Sequence, residues 1–355
     1  MPATRVRLLV MNAALGPLDY RVPEGMAVEH GSVVVAPLGP RQVTGIVWED
    51  ERLPTNPVPE EKLRPLLGVL DVPPIRAPLR RLIEWTADYY VAPLAAVARM
   101  VIASGGALRG PATMTEYRLT GGTPERMTPQ RAAAIEALDG EQATIRELAG
   151  IAGVSEGVLR GLVNQGVLEP VEVDVDRPYP RAAADHHLPD LSDDQREVAD
   201  RLVELVEARE FAPVLLDGVT GSGKTETYFE AIGAAIAQDR QVLVMLPEIA
   251  LTEAFLSRFE ERFGAAPVVW HSSLKSTERR RAWRAIASGE AQVVVGARSA
   301  LFLPYANLGL IVVDEAHEIS FKQDDGVRYN ARDVAVMRAR FEKFPVILAS
   351  ATPAL

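Results

Sequence analysis

One stretch constrains this chain more than any other. The apolar run PVLLD (213–217), the loop Gly218-Val219-Thr220-Gly221-Ser222-Gly223-Lys224-Thr225 and the helical pattern ETYFEAIGAAI (226–236) follow one another without a break. This is GxxxxGK[ST] with a strand before it and a helix after it, the context its chemistry needs. Glycines let the backbone wrap a phosphate, and free N–H groups at a helix start bind the anion. Lys224 is expected to reach the β- and γ-phosphates of ATP, and Thr225 to place its hydroxyl on Mg2+. Gly218, Thr220, Gly221, Ser222 and Gly223 form the cradle. The alternative is a Gly-rich turn with an incidental lysine. Against it, the chain has only five lysines: Lys62, Lys224, Lys275, Lys322 and Lys343.

Around this loop, from Leu191 onward, helical patterns alternate with the apolar runs QVLVML, APVVW, AQVVVG, LGLIVVDE and FPVILAS. Near-continuous Val/Ile/Leu runs of this kind predict a mostly parallel sheet covered on both faces. Ligands on such sheets bind at the carboxyl ends of the strands. One run ends in Asp314-Glu315-Ala316-His317. Two carboxylates at the end of an apolar strand are costly unless a metal or water uses them. Asp314 is expected to hold Mg2+, directly or through water, and Glu315 to orient and deprotonate an attacking water. His317 would link the site to motion elsewhere. Cradle, metal and positioned water are the parts that attack on a γ-phosphate requires.

The first 105 residues read differently. The short runs RVRLLV, SVVVAP and QVTGIVW are separated by the turn signals Gly16-Pro17, Pro23-Glu24-Gly25 and Gly39-Pro40, predicting a small barrel or sandwich. A helix is predicted over APLRRLIEWTADYYVAPLAAVARMVI (77–102), where Tyr89 and Tyr90 either stack on bases or are buried. The opening RVRLLVMNAAL resembles a signal peptide only weakly, because its apolar core is short and broken by Asn12; it reads as a first strand. Residues 106–126, rich in Gly, Pro and Thr, read as a linker. Residues 127–178 read as three helices and a hairpin-like tail, a winged helix-turn-helix. Thr144 with Glu147 has capping-box spacing, and Ser155 is a candidate N-cap. The third helix offers one cation, Arg160, which favours structural or protein-contact use over groove reading. A second linker spans 179–190, where His186 and His187 are read as solvated rather than as metal ligands.

Composition narrows the classes. The net charge of −10 speaks against indiscriminate polyanion binding. Residues 1–105 carry eleven basic and eleven acidic side chains, so DNA contact there needs a specific pocket. The absence of Cys excludes a disulfide scaffold or a thiolate zinc site within these residues and fits a reducing cytoplasm. No apolar run approaches the ~20 residues a membrane span needs, so no membrane association is expected.

These motifs carry a resemblance. GVTGSGKTE, DEAH and the late Ser350-Ala351-Thr352 make 191–355 similar to the first RecA-like lobe of a superfamily 2 helicase. PEIALT (247–252), WHSSLKSTER (270–279), GARSALFLP (296–304) and ISFKQDDGVRYNARDVAVMRA (319–339) narrow it. So do LDYRVPEG (18–25), VVVAPLGPRQVTGIV (33–47) and ADYYVAPL (87–94). Together they resemble the primosomal replication-restart DNA helicases, the PriA family. The expected fold is multidomain α/β: a small β-rich N-terminal 3′-end DNA-binding domain (1–105), a winged-helix domain (127–178) and one RecA-like P-loop lobe (191–355).

The resemblance implies that Gln195 reads adenine, that Arg298 and Ser299 contact single-strand phosphates, and that Phe321 to Arg332 form an aromatic-rich loop coupling DNA contact to hydrolysis. In that loop Phe321, Lys322, Arg328 and Tyr329 offer stacking and phosphate contacts. Leu18, Asp19, Gly39 and Arg64 match a pocket for a 3′-terminal nucleotide. Ala297 stands where the family has Thr. The family's second lobe, zinc insertion and C-terminal domain are missing from these residues, so any zinc the resemblance implies belongs to that missing part only. Forked and single-stranded DNA with a free 3′ end, single-stranded DNA-binding protein and primosome proteins are the implied partners. The leading function is an ATP-dependent 3′-to-5′ helicase that restarts stalled forks, present here as an N-terminal fragment of low turnover. The alternative is a catalytically incompetent module that binds fork DNA and nucleotide. A small-molecule P-loop kinase lacks support, since it needs no SAT motif.

Overall fold

The computed structural model describes residues 5–12, 15–49, 58–102, 108, 110, 113–176, 178–247 and 253–352. It divides into two compact units, one of residues 1–109 with 179–355 and one of residues 110–178.

In the first unit, strands β1 (Arg5–Val10), β2 (Leu18–Arg21), β3 (Val33–Leu38), β4 (Arg41–Val47) and β5 (Gly68–Val69) form an antiparallel sheet of order β2-β1-β4-β3-β5. Alternating side chains give it two apolar faces. Leu8, Tyr20, Val34 and Val47 form one core, while Leu9, Val33, Ile46 and Trp48 join another. The predicted single helix is two, α1 (Ala77–Tyr89) and α2 (Leu94–Ile102). Pro93 and the left-handed Val91 (φ 52°) make the break.

The small unit contains β6 (Thr113–Leu119), α3 (Pro129–Ala137), β7 (Gln142–Ala143), α4 (Ile145–Ala152), α5 (Glu156–Asn164) and β8 (Leu168–Asp174). The Thr144–Glu147 capping box is present; Ser155 is the N-cap residue of α5 but makes no side-chain cap bond. Two expectations need correction. Residues 113–119 are a strand rather than linker, and the tail is not a hairpin. Instead β8 pairs along its whole length with β6, from Thr113 opposite Asp174 to Leu119 opposite Leu168. The alternation in TMTEYRL is the strand signal that the flanking Gly and Pro obscured.

From Tyr179 the chain rejoins the first unit. Residues 179–187 are a strap rather than a free linker. The backbone N–H groups of Tyr179 and Ala182 donate to Glu290 Oε1 (2.7 Å) and Gln292 Oε1 (2.8 Å), and that of Ala183 to the Phe263 carbonyl (2.9 Å). His186 and His187 are exposed.

The lobe then runs α6 (Asp193–Ala208), β9 (Pro213–Asp217), α7 (Lys224–Ala237), β10 (Gln241–Met245), α8 (Glu253–Phe263), β11 (Val268–Trp270), α9 (Ser276–Ser288), β12 (Val293–Gly296), β13 (Leu308–Val313), the ribbon β14 (Lys322–Gln323) and β15 (Tyr329–Asn330), α10 (Ala331–Glu342) and β16 (Val346–Ser350). Six strands form a parallel sheet of order β11-β12-β10-β13-β16-β9, consistent with a RecA-like lobe. Alternate residues of β10 enter different cores: Val242 and Val244 face α6, α7 and α8, while Leu243 and Met245 face the side covered by α9 and α10. On that second side α1 and α2 join the same core, and the buried Trp283 Nε1–H donates to the Val101 carbonyl at 2.8 Å. The β-rich segment and the lobe, expected as separate domains, therefore share one apolar interior.

Two outcomes follow from this interior. Buried Gln241 donates to the carbonyls of Ile286 (3.1 Å) and Ala291 (2.8 Å) and accepts from the Asn307 N–H (2.9 Å). Gln241→Leu orphans all three partners, and urea unfolding should show a loss of about 3 kcal/mol or more. Burial raises the phenols of Tyr20, Tyr228, Tyr305 and Tyr329, and that of Tyr90 to about 12. Raised folded-state values mean that the contribution of these groups is complete below the unfolded tyrosine value of about 10 and is lost as pH rises above it. Absorbance titration should show these five of the eight tyrosines resisting ionisation until circular dichroism reports unfolding.

Candidate nucleotide and nucleic-acid site

The carboxyl ends of the parallel strands gather the motifs on one edge. Gly221 (φ 81°) and Gly223 (φ 83°) take the left-handed conformations that let the loop after β9 curl back over the start of α7. Lys224 Nζ donates to the carbonyls of Gly218 (2.6 Å) and Val219 (3.2 Å), so its ammonium lies inside the cradle. A side chain at 223 is barred twice, by φ and because a Cβ would stand 2.2 Å from Gln195 Nε2. Gln195 itself belongs to a capping box with Ser192. Its Oε1 accepts the Ser192 N–H (3.0 Å), and its Nε2 donates to the Ser222 carbonyl (2.9 Å). The structure thus places Gln195 as a brace between the start of α6 and the loop.

Asp314 and Thr225 meet at a residue the sequence reading missed. Tyr228, one turn into α7 and fully buried, donates its hydroxyl to Asp314 Oδ2 at 2.8 Å, and the Thr225 side chain lies beside the same hydroxyl. Burial first, then the Asp314 charge, pushes the Tyr228 phenol up, so it stays a donor. A tyrosine beside Phe229 on the buried face of a helix reads as core, and only the fold reveals its partner. The Glu315 N–H donates to Asp314 Oδ1 (2.9 Å), and Glu315 sits at φ 48°, a left-handed position that costs a non-glycine residue about 1–2 kcal/mol. It is fixed from both sides: Asp314 N–H donates to the Met245 carbonyl (3.0 Å) and Ala316 N–H to the Ala349 carbonyl (2.8 Å).

Ser350 joins the two loops. Its carbonyl accepts the Gly218 N–H (3.2 Å), and its buried hydroxyl lies 3.1 Å from His317 Nδ1 and accepts the Thr352 N–H (3.2 Å). His317 Nδ1 is 3.6 Å from Glu315 Oε2. The glycine-lined cradle, the lysine within it and the Thr225–Asp314 pair match the donors that a nucleoside triphosphate with Mg2+ requires. Among the described residues no group of three or more His, Asp or Glu forms a separate metal site.

The residues expected to meet DNA divide. Arg298 Nη1 donates to the carbonyls of Ser320 and Lys322, both 2.8 Å, and so anchors the segment after DEAH. Ser299 is exposed and accepts from Trp270 Nε1 (3.2 Å). Lys322 and Arg328 are exposed. Phe321 and Tyr329, expected as stacking residues, are 1% and 2% exposed and lie in the core, with Tyr329 edge-on to Phe302 at 5.3 Å. Their rings hold the loop down and offer no face to a base. A cavity of about 900 Å³ opens beside the loop, with Arg99, Trp270, His271, Arg279 and Arg328 in its lining. Of PEIALT, only Pro247 lies within the described residues.

In the β-rich segment, Arg64 Nη1 donates to the Gly39 carbonyl (3.0 Å), bringing those two together at the β3–β4 turn. Leu18 packs beside Tyr20, whose hydroxyl donates to the Pro37 carbonyl (3.0 Å). Asp19 alternates to the opposite face of β2, where Arg5 binds one oxygen and Arg7 Nε lies 3.8 Å from the other.

Gly223→Ala should destabilise the fold by roughly 1–3 kcal/mol in chemical unfolding. Adding Gln195→Ala should recover the part due to the clash but not the part due to φ.

Comparison with known proteins agrees with this geometry. Residues 7–103 match the family model of the PriA 3′ DNA-binding domain, and residues 192–354 match the DEAD/DEAH box helicase model. The replication restart protein PriA of Rickettsia felis is 34% identical over 350 residues, covering 98% of this chain and 43% of that protein. The Haemophilus influenzae protein of the same name is 33% identical over 369 residues, covering 100% and 50%. That of Bacillus subtilis is 40% identical over 219 residues, covering 61% and 27%. The chain thus spans half or less of the length of these relatives.

Proposed function

This chain belongs to the PriA family of replication restart proteins as an N-terminal portion, and on that premise we propose that it supplies the nucleotide-binding lobe and the 3′-end-recognising domain of an ATP-dependent 3′-to-5′ DNA helicase. The observation that carries the reading is the meeting of Thr225 and Asp314 at the Tyr228 hydroxyl, below a loop that already holds Lys224 in its cradle.

In that reading Lys224 exchanges its two carbonyl partners for β- and γ-phosphate oxygens, and the loop N–H groups complete the cradle. Thr225 and Asp314 would hold the Mg2+ that accompanies the nucleotide, and the ion would neutralise phosphate charge. Glu315, turned out of the strand by its left-handed backbone, orients the attacking water and accepts its proton. His317 and Ser350 carry any shift of Glu315 to the phosphate loop through the Gly218 N–H. Gln195 braces the loop and keeps a free N–H for an adenine edge.

Forked DNA with a free 3′ end is the proposed substrate. Asp19, preset by Arg5 and Arg7, is suited to accept a hydrogen bond from a terminal 3′-hydroxyl, while Gly39 and Arg64 approach the sugar and phosphate. Residues 110–178 act as a winged helix used for protein or structural contact. What supports that use is that the one cation of α5, Arg160, pairs with Glu156 (3.1 Å), and that Arg118 on β6 pairs with Glu169 (2.7 Å). Single-stranded DNA-binding protein and other primosome proteins are the proposed partners, on the family resemblance alone. Action on chromosomal DNA and a cysteine-free sequence support a cytoplasmic site. Among the described residues no helix is long and apolar enough to cross a membrane.

In the full-length protein, Lys224→Ala should abolish ATP turnover and retention of a labelled ATP analogue without lowering the melting temperature. Retained analogue binding would defeat the nucleotide assignment. Asp19→Ala should remove a preference for 3′-hydroxyl over 3′-phosphate ends of roughly ten- to hundredfold, the worth of one charged hydrogen bond. Salt dependence should stay unchanged, because no phosphate contact is lost.

A further inference from the structure

The shared interior of the β-rich segment and the lobe has a polar seam at one point. Tyr90, the residue after α1, is half-buried, and its hydroxyl reaches the start of α10. It accepts the Asn330 N–H at 3.1 Å and donates to Asp333 Oδ2 at 3.1 Å. Burial raises its phenol to about 12, so the hydroxyl keeps its proton at physiological pH. Asn330 is the N-cap of α10: its Oδ1 accepts the Arg332 N–H (3.1 Å) and lies 3.4 Å from Arg332 Nε. Arg332 Nη1 in turn donates to the Ala316 carbonyl at 2.9 Å, inside the DEAH turn.

We infer that Tyr90 is a positioning residue that couples the 3′-end-binding segment to the hydrolytic turn through Asn330, Arg332 and Ala316. The inference rests on the helicase reading above. Its physical basis is that every link is a directional hydrogen bond between groups held by packed elements. Tyr90 ends a helix whose buried face enters the common core. Asn330 closes the ribbon that Tyr329 pins, and Ala316 is the residue after the strained Glu315. A tilt of α1 as the β-rich segment takes up DNA moves the hydroxyl against the cap. The cap directs the Arg332 guanidinium, and the guanidinium holds the Ala316–His317 peptide, the second one after Glu315. Tyr89, by contrast, stacks on Trp85 at 4.8 Å with its ring largely exposed and plays no part in this chain.

The experiment uses full-length protein and measures ATP hydrolysis with and without a fork bearing a 3′-hydroxyl end, alongside fork affinity by anisotropy and the melting temperature. Tyr90→Phe removes only the hydroxyl and keeps the ring, so it should fold and bind the fork as the parent does. The ratio of DNA-stimulated to DNA-free turnover should fall by roughly threefold or more, the usual scale of coupling through packed networks. Asn330→Ala should give the same loss, Asn330→Asp should restore most of it by keeping a cap acceptor, and the Tyr90→Phe/Asn330→Ala pair should lose no more than either alone. A Tyr90→Phe protein stimulated as strongly as the parent overturns the inference, as does a strictly additive pair. If the parent itself shows no stimulation by the fork, the helicase reading falls, and that outcome is distinct from a stimulated parent with an equally stimulated variant.

Discussion

The pairing of β16 with β9 is the interaction on which the rest of the site depends. It sets Ser350 opposite Asp217, so that the last residue of one strand stands beside the first glycine of the phosphate loop. One residue then serves two loops, with its carbonyl on Gly218 and its hydroxyl at His317. A parallel register is fixed by continuous backbone bonding and by apolar residues committed to two covered faces, so it does not slip by a fraction of a residue. Chemistry that needs a carboxylate and a cradle at set separation can be built on such a register. The loops then need only short reach, and the left-handed Glu315 is tolerated because the flanking peptides are tied to Met245 and Ala349.

Polar groups inside the lobe follow the same economy. Gln241 satisfies three backbone groups at the start of β10, and Arg338, 1% exposed, donates to the carbonyls of Leu301 and Leu303 while pairing with Glu342 at 2.8 Å. Buried charge of this kind is acceptable only when fully bonded. Its effect is to fix the short 3-10 helix Arg298–Phe302, which carries Ser299 to the edge of the cavity, and the residue after it.

Much of this was legible in the sequence. The phosphate loop, the DEAH strand end and the doubly covered sheet all rest on local patterns: a turn of obligatory glycines and runs of Val, Ile and Leu. What was not legible depends on contacts between distant residues. Tyr228 lies on the buried face of α7 and shows its role only once Asp314 is beside it. Phe321 and Tyr329 have the composition of a base-stacking loop, but Phe302 and the α10 face bury them. The strand at 113–119 was hidden because its partner is β8, more than forty residues later in the chain, and flanking turn residues outweighed its alternation. The bracing of Gln195 between Ser192 and Ser222 was likewise hidden, because Ser222 lies 27 residues later in the chain.

The corner between α1 and α2 bears on how such chains can vary in length. Val91 is 91% exposed and left-handed, a conformation that a β-branched residue adopts only under constraint, and Pro93 follows at once. No packing of the Val91 side chain explains the conformation; the corner exists to turn the backbone. One residue inserted in α1 would rotate every later position on it by about 100°, carrying the Tyr90 hydroxyl off the α10 cap while leaving the hydrophobic face to be rebuilt. Insertions and deletions between related chains should therefore avoid residues 77–93 and accumulate in surface turns such as 138–142, where the side chains after Leu138 are exposed.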